Sequence, residues 1–263
     1  MELTVVGCSG SVSGPESPAS SYLVRAPYEG RTFALVLDLG PGATGALFRY
    51  LDPREVDAIG LSHLHPDHCH DLCGFYVAAR YSTTAPWPGI SVYGPPGTRE
   101  RIGRAYEVPG STSREPGPGI ETHFDYRDWQ PQQRIGPFLV RAARVDHPVE
   151  AYALRVTEDV PDGGSLVFSG DTGPCSALVE LARGTDLLLA EAAFLDRPGN
   201  PTGLHLSGRD AAEAAAAAGV DHLVLTHIPP WHDRDQVLAE AVPHLDGRVE
   251  LASPGATWTI GPR

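Results

Sequence analysis

The chain has 263 residues, 41% of them apolar and 20% charged, and a formal net charge of −13, the make-up of an ordinary globular protein. No window of about 18 apolar residues is present, which excludes a membrane-spanning helix. The acidic balance argues against a broad, counterion-releasing grip on a long nucleic acid, and all twenty basic residues are arginines, which excludes a Walker A lysine, a Schiff-base lysine and a Ser–Lys dyad.

Glu2 stands where a signal peptide would carry bases, and the chain runs straight into an apolar strand over 3–7, so a cytoplasmic protein is expected. A Ser/Gly/Pro loop follows over 8–20. Strands are expected over 22–25 and 33–39, joined by a turn at Tyr28-Glu29-Gly30, and a helix over 44–51 is stopped by Asp52-Pro53. A short buried strand over 56–61 leads into a histidine-rich loop, and an amphipathic helix over 72–79 comes after it. Next come a Pro/Trp-containing loop over 81–88, a strand over 90–93 and a helix over 97–107 with Thr98 as its cap. The Pro/Gly/Ser tract over 109–119 reads as a flexible surface loop.

Strands over 120–124, 138–145, 151–157 and 165–169 then alternate with turns. The last two are joined by Pro161-Asp162-Gly163-Gly164, a strong hairpin signal. Beyond residue 171 helix and strand alternate: helix 176–182, strand 186–190, helix 207–218, strand 223–226, helix 233–241, then strands 249–251 and 257–260. Ser207 and Asp210 have capping-box-like spacing, and Gly219 is a good stop. A strand-rich stretch followed by a mixed one, twice over, predicts two sheets packed together with helices outside. One domain over 1–263 is expected, with no sequence repeat and no linker. Cys8, Cys69, Cys73 and Cys175 form no CxxC pair and suggest no disulfide framework. Cys69 and Cys73 share one face of the predicted helix as small buried residues.

The loop Ser62-His63-Leu64-His65-Pro66-Asp67-His68-Cys69-His70-Asp71 organises the chain. His63, His65, Asp67 and His68 cannot all address one small ion from so short a segment, but they can split between two. A solvated histidine-rich loop is the bland alternative; it fits poorly, because the cluster interrupts an ordered strand-to-helix pattern. Three more ligand types sit where predicted strands end: His147 in Val145-Asp146-His147-Pro148, Asp171 in Ser169-Gly170-Asp171-Thr172, and His227 in Thr226-His227-Ile228-Pro229. The count then closes. His63, His65 and His147 would hold one ion, Asp67, His68 and His227 the other, with Asp171 bridging. Imidazole and carboxylate ligands suit zinc, and also manganese, iron or nickel. Two ions roughly 3.5–4 Å apart can share a hydroxide and stabilise both attacking and leaving oxygens, the chemistry of hydrolysis, most naturally at a phosphate ester.

These residues carry a resemblance. His63-Leu64-His65-Pro66-Asp67-His68, His147, Ser169-Gly170-Asp171-Thr172 and Thr226-His227-Ile228-Pro229 resemble the metallo-β-lactamase fold superfamily, HxHxDH motif included, over nearly the whole chain. The resemblance implies an α/β fold, a four-layer αββα sandwich with its metals at one edge. Ala190-Glu191-Ala192 followed by His205-Leu206-Ser207 is similar to the ribonuclease Z and related phosphodiesterase branch. There a histidine matching His205 approaches the scissile phosphate and a glutamate matching Glu191 orients it; with Asp67 they make the implied catalytic set. A positioned imidazolium can protonate a leaving alkoxide, and a carboxylate favours that form. The bland readings are a capping or surface His205 and a structural ion pair at Glu191. Asp38 matches an aspartate that braces the histidine loop, with a turn-capping role as the alternative.

Two departures stand out. Between His147 and Asp171 there is room for one hairpin, whereas the tRNA-processing enzymes insert a protruding arm there. Asp71 stands where many members have glycine, either to hold a supporting hydrogen bond or to face water. The segments Val6-Gly7-Cys8-Ser9-Gly10-Ser11, Pro15 to Ser20, Leu206-Ser207-Gly208 and Ile228-Pro229-Pro230-Trp231 resemble bacterial atypical cyclic-nucleotide phosphodiesterases. Trp87 and Trp231 are each candidates to stack a base, the alternative for either being an exposed or packed tryptophan; Arg80 and Arg209 are candidate phosphate contacts or surface ion pairs. The expected function is therefore a dinuclear metallohydrolase of a small phosphodiester, a cyclic nucleotide favoured. A homodimer agrees with the resemblance, although no stretch marks an interface. The alternatives are a tRNA 3′-end endonuclease, a lactonase or thioesterase, and a non-catalytic metal-binding module.

Overall fold

The computed structural model describes residues 1–108 and 119–261, so all but the last residue of the loop expected over 109–119 lies outside the described residues. Two seven-stranded sheets make the frame. The first runs in the order β14 (Thr257–Thr259), β1 (Glu2–Gly7), β2 (Ser21–Tyr28), β3 (Arg31–Leu37), β4 (Ala58–Gly60), β5 (Ser91–Gly94), β6 (Asp125–Asp128). The second runs β7 (Gln132–Ile135), β8 (Phe138–Arg144), β9 (Tyr152–Glu158), β10 (Ser165–Phe168), β11 (Leu187–Glu191), β12 (His222–Thr226), β13 (Arg248–Leu251). Each sheet begins with three antiparallel pairings and ends with three parallel ones. β3 and β10 therefore hold equivalent places in two topologically matching halves, a correspondence with no sequence repeat behind it.

Three apolar layers hold the frame together. Leu3, Tyr22, Leu35, Phe138, Phe168, Leu189 and Val224 fill the space between the sheets. On the outer face of the first sheet, Val36 and Ile59 meet α1 (Ala43–Leu47), α3 (Leu72–Tyr81) and α4 (Thr98–Tyr106) through Leu47, Phe75, Tyr76 and Ile102. On that of the second, Val167, Leu188 and Leu223 meet α6 (Ser176–Ala182), α7 (Gly208–Ala218) and α8 (Arg234–Ala241) through Leu178, Ala211, Ala215 and Val237. Helix, sheet, sheet, helix is the expected four-layer sandwich, and its driving force is burial of one apolar face per element. Among the described residues no helix is long and apolar enough to cross a membrane.

Several local expectations change. Residues 120–124 are not a strand: α5 (Ile120–His123) is a helical turn, because Ile120 and Phe124 are both buried at a four-residue spacing, the helical period rather than alternation. The helix after the histidine loop comes in two pieces, α2 (Pro66–Cys69) and α3, so Cys69 closes one and Cys73 lies in the next. Thr98 is the first residue of α4 and not its cap; Gly97 takes that place at φ 88°, and the Thr98 hydroxyl donates to Pro95 O at 2.6 Å. The strand β7 is polar but for Ile135, which hid it in the sequence, and its backbone pairs with β8. The Ser207–Asp210 capping box forms in both directions, and the 161–164 turn joins β9 to β10 as expected.

Candidate metal centre

β8 and β10 each run antiparallel to β9, and β10, β11 and β12 are parallel, so four carboxyl ends of the second sheet lie at one edge. They deliver His147, Asp171, Glu191 and His227. The parallel strands β3 and β4 deliver Asp38 and the 63–68 loop. Ligands collect at such an edge because loops leaving it are free to converge while the strands hold their roots.

His63 Nε2 and His147 Nε2 each lie 3.1 Å from His65 Nδ1. His147 Nδ1 donates to Leu204 O at 2.9 Å, so its Nε2 points a bare lone pair inward. Burial keeps the His63, His65 and His147 rings below the usual histidine range and therefore neutral. His65 Nδ1 can give its one proton to only one of the two nitrogens facing it at a time, and a cation between the three would satisfy every lone pair. Zn–N bonds of 2.0–2.1 Å in a tetrahedron would place nitrogens about 3.3–3.4 Å apart, close to what is seen.

A second group lies alongside. Asp67 Oδ2 and His68 Nε2 are each 3.1 Å from His227 Nε2, and Asp171 Oδ1 is 3.2 Å from His68 Nε2 and 3.6 Å from His227 Nε2. The other Asp171 oxygen is 3.8 Å from His63 Nε2 in the first group. One carboxylate thus offers an oxygen to each group, and its Oδ1 is buried without a hydrogen bond. Burial opposes charge on Asp171 and Asp67, yet the surrounding histidines hold both carboxyls well below the usual range. Burial likewise opposes charge on His68, but Asp171 and Asp38 outweigh it and raise that ring well above its ordinary value. The groups His63/His65/His147 and Asp67/His68/Asp171/His227 could each hold a divalent ion, as could Glu191/His205/His227, and the orphaned Asp171 oxygen fits an ion beside it.

Next to this centre, His205 Nδ1 lies 2.8 Å from Glu191 Oε1 and 3.8 Å from Asp171 Oδ2. Glu191 is fully buried and also accepts N–H groups from Thr172 at 2.9 Å and Ala193 at 3.0 Å. Burial raises the Glu191 carboxyl above its ordinary range, and the charge and hydrogen bond of His205 oppose that rise. Burial works against charge on His205 as well, but Glu191 raises it to about 9, so the ring is an imidazolium at neutral pH.

Other residues support these side chains. Asp38 accepts from Ser62 N at 2.6 Å and Ser62 Oγ at 2.8 Å, and its Oδ2 meets His68 Nδ1 at 2.7 Å. Its bracing role is thus the one seen. Ser62, which sequence reasoning passed over, also contacts His63 Nδ1 at 3.1 Å; its place directly before His63 was the available signal. Thr172, directly after Asp171, was missed in the same way. Asp71 does not face water: its Oδ2 accepts the Thr44 N–H at 2.6 Å, and Thr44 Oγ1 donates to the Asp71 carbonyl at 3.1 Å. It caps α1, whose own N-cap, Gly42, has no side chain to do so.

The remaining candidates separate. Trp87 is 5% exposed, packed on Phe75 with ring centroids 5.5 Å apart, and stacks no base. Trp231 is 62% exposed, four residues after His227. Arg209 pairs with Glu213 and Asp196 on the surface, and Arg80 lies over the Tyr76 and Tyr81 rings.

Comparison with known proteins adds the lineage. Residues 35–228 match the model of the beta-lactamase superfamily domain. An uncharacterized protein of Mycobacterium leprae is 47% identical over 99% of this chain and 89% of its own length. A ribonuclease Z of Mycobacterium marinum is 32% identical, covering 96% of each chain. The crystal structure of the metallo-beta-lactamase fold protein YhfI of Bacillus subtilis superposes with a TM-score of 0.82 at 26% identity, covering 98% of this chain and 99% of that one.

Proposed function

From a chain that belongs to the beta-lactamase superfamily, in its ribonuclease Z-like branch, and is a metal-dependent hydrolase, we propose a phosphodiesterase with two zinc ions that acts on a small phosphodiester, a cyclic nucleotide favoured. The observation that carries this reading is the 2.8 Å contact of His205 with Glu191, beside the carboxylate shared by the two ligand groups. A hydrolase of a neutral ester or lactone has no need of a fixed imidazolium there, whereas a phosphate does.

In this reading His63, His65 and His147 hold one ion, and Asp67, His68 and His227 the other, with Asp171 between them. Bound divalent ions supply an activated water and charge to offset that of the transition state. Asp67 Oδ2, 3.1 Å from His227 Nε2, faces the same space and serves as the carboxylate that orients the attacking water. Glu191 holds the His205 ring in one orientation and keeps it protonated. The imidazolium Nε2–H then lies free to bind a phosphate oxygen and to pass its proton to the leaving alkoxide. Asp38 fixes the tautomer and tilt of His68.

A tRNA substrate is the second reading, favoured by the 32% identity to a ribonuclease Z. Against it, residues 147–171 hold only β9, β10 and the tight turn between them, and the chain is acidic. The test is a panel of bis-p-nitrophenyl phosphate, cyclic nucleotides, tRNA precursors, lactones and thioesters, offered to protein loaded with each metal in turn. Cyclic nucleotides should turn over best, with His205→Ala strongly impaired. Hydrolysis confined to lactones or thioesters, or indifference to His205→Ala, would overturn the reading.

A further inference from the structure

We propose that the cavity between residues 9–17 and 228–234 is a base-binding subsite, the part of the molecule that selects which nucleotide is cleaved; this rests on the phosphodiesterase reading above. The cavity holds about 170 Å³ and is lined by Ser9, Pro15, Ile228, Pro230, His232 and Arg234, among others.

Its position relative to the metal centre is set by one short loop. Ser9 forms a bridge with Ile228, and Gly10 N donates to Ile228 O at 3.1 Å. The contact is so close that a side chain at Gly10 would lie 2.1 Å from the His227 carbonyl oxygen. One residue further, the Ser11 N–H points at His227 Nε2, the nitrogen that faces the second ligand group, at 3.4 Å. Ser9 in the cavity wall and Ser11 at the ligand are two residues apart, at most about 7 Å of extended chain. That is the kind of span a single sugar bridges between its phosphate and its base.

The lining suits a flat heterocycle. Prolines and Ile228 make apolar walls. Ser9 is 5% exposed and its Oγ is buried with no hydrogen-bond partner. A buried hydroxyl of this kind calls for an explanation, and the edge of a base supplies one. Arg234 contacts Ala252 O, Ser253 Oγ and Cys8 Sγ, and among the described residues no carboxylate pairs with it. Glu16 lies across the same cavity, which favours a neutral ring carrying both donors and acceptors over a second phosphate. Trp231 does not line the cavity, but it is 62% exposed, lies between the lining residues Pro230 and His232 in the chain, and has its ring 6.3 Å from that of His232; a side chain so exposed is available to stack on a base.

The experiment uses the full-length, metal-loaded protein with Ser9→Ala, Trp231→Ala and His232→Ala. Binding of adenosine, guanosine, cytidine and uridine is followed by titration calorimetry, since a nucleoside has the base without the phosphate. In parallel, the ratio of kcat/KM for the best cyclic nucleotide to that for bis-p-nitrophenyl phosphate is measured. At least one nucleoside should bind the wild-type protein, and binding should weaken tenfold or more in Ser9→Ala or Trp231→Ala. The ratio should fall at least tenfold, through KM. The inference is overturned if no nucleoside binds at millimolar concentration, or if the ratio stays within twofold in all three variants. Were no phosphodiester hydrolysed by the wild type, the phosphodiesterase reading would fail alone, and nucleoside binding would still decide the subsite.

Discussion

Asp38 and Asp171 address opposite nitrogens of the same imidazole. Asp38 Oδ2 is 2.7 Å from His68 Nδ1, and Asp171 Oδ1 is 3.2 Å from His68 Nε2. Each aspartate follows the equivalent strand of its own sheet, β3 in the first and β10 in the second. The matching halves thus meet across one ring, with one aspartate bracing it and the other sharing its ligand face.

Breaking the brace should loosen metal without removing a ligand. In Asp38→Ala, affinity at the His68 site is expected to drop about 10- to 100-fold, read by competition with a chelator. Affinity within threefold of wild type would mean that Asp38 merely caps its turn.

His205→Ala should retain both metal ions by elemental analysis while kcat falls roughly a hundred- to ten-thousand-fold. Loss of metal in step with activity would show instead that His205 is a ligand.

Activity should decline on the alkaline side near pH 9. His205 is raised from an ordinary 6.5 to about 9, so its charged form, and the stability that form contributes, is complete below 6.5 and disappears as pH rises through 9. In Glu191→Gln the alkaline limb should move down toward 6.5. A limb at the same pH in both proteins would separate it from this pair.

Removing metal should destabilise the fold, because buried Asp67 and Asp171 lose their counter-ions. With free metal at a hundred times its Kd, binding contributes about 2.7 kcal/mol, which at about 2–4 °C per kcal/mol for a chain of this size is a fall in Tm of about 5–10 °C. Calorimetry with and without chelator measures it; an unchanged Tm argues against both sites.

Asp71→Ala should cost about 1 kcal/mol, the usual loss for a helix cap, with metal content and kcat held. Denaturant melts and elemental analysis check this together. Metal loss in this variant would place Asp71 in the support of the centre.

The sequence by itself marked the family of this protein and the ligand-type residues the fold then gathers at one edge. Each of the seven ligand-type residues sits in a short motif at a strand end, and residue type with local spacing is enough to mark such positions. The four-layer order was legible as well, from apolar strands and one-sided helices in the right succession. Tertiary structure alone decided what each side chain touches. Trp87 and Trp231 look alike in sequence, yet one packs in the outer core against Phe75 and the other is exposed. Asp71 reaches across to cap a helix 27 residues earlier in the chain, and His205 meets Glu191 only because β11 and the loop before α7 emerge at one edge. Strand register and the approach of distant loops set these contacts. Neither is written in local spacing, because each depends on how two separately folded faces come to rest against one another.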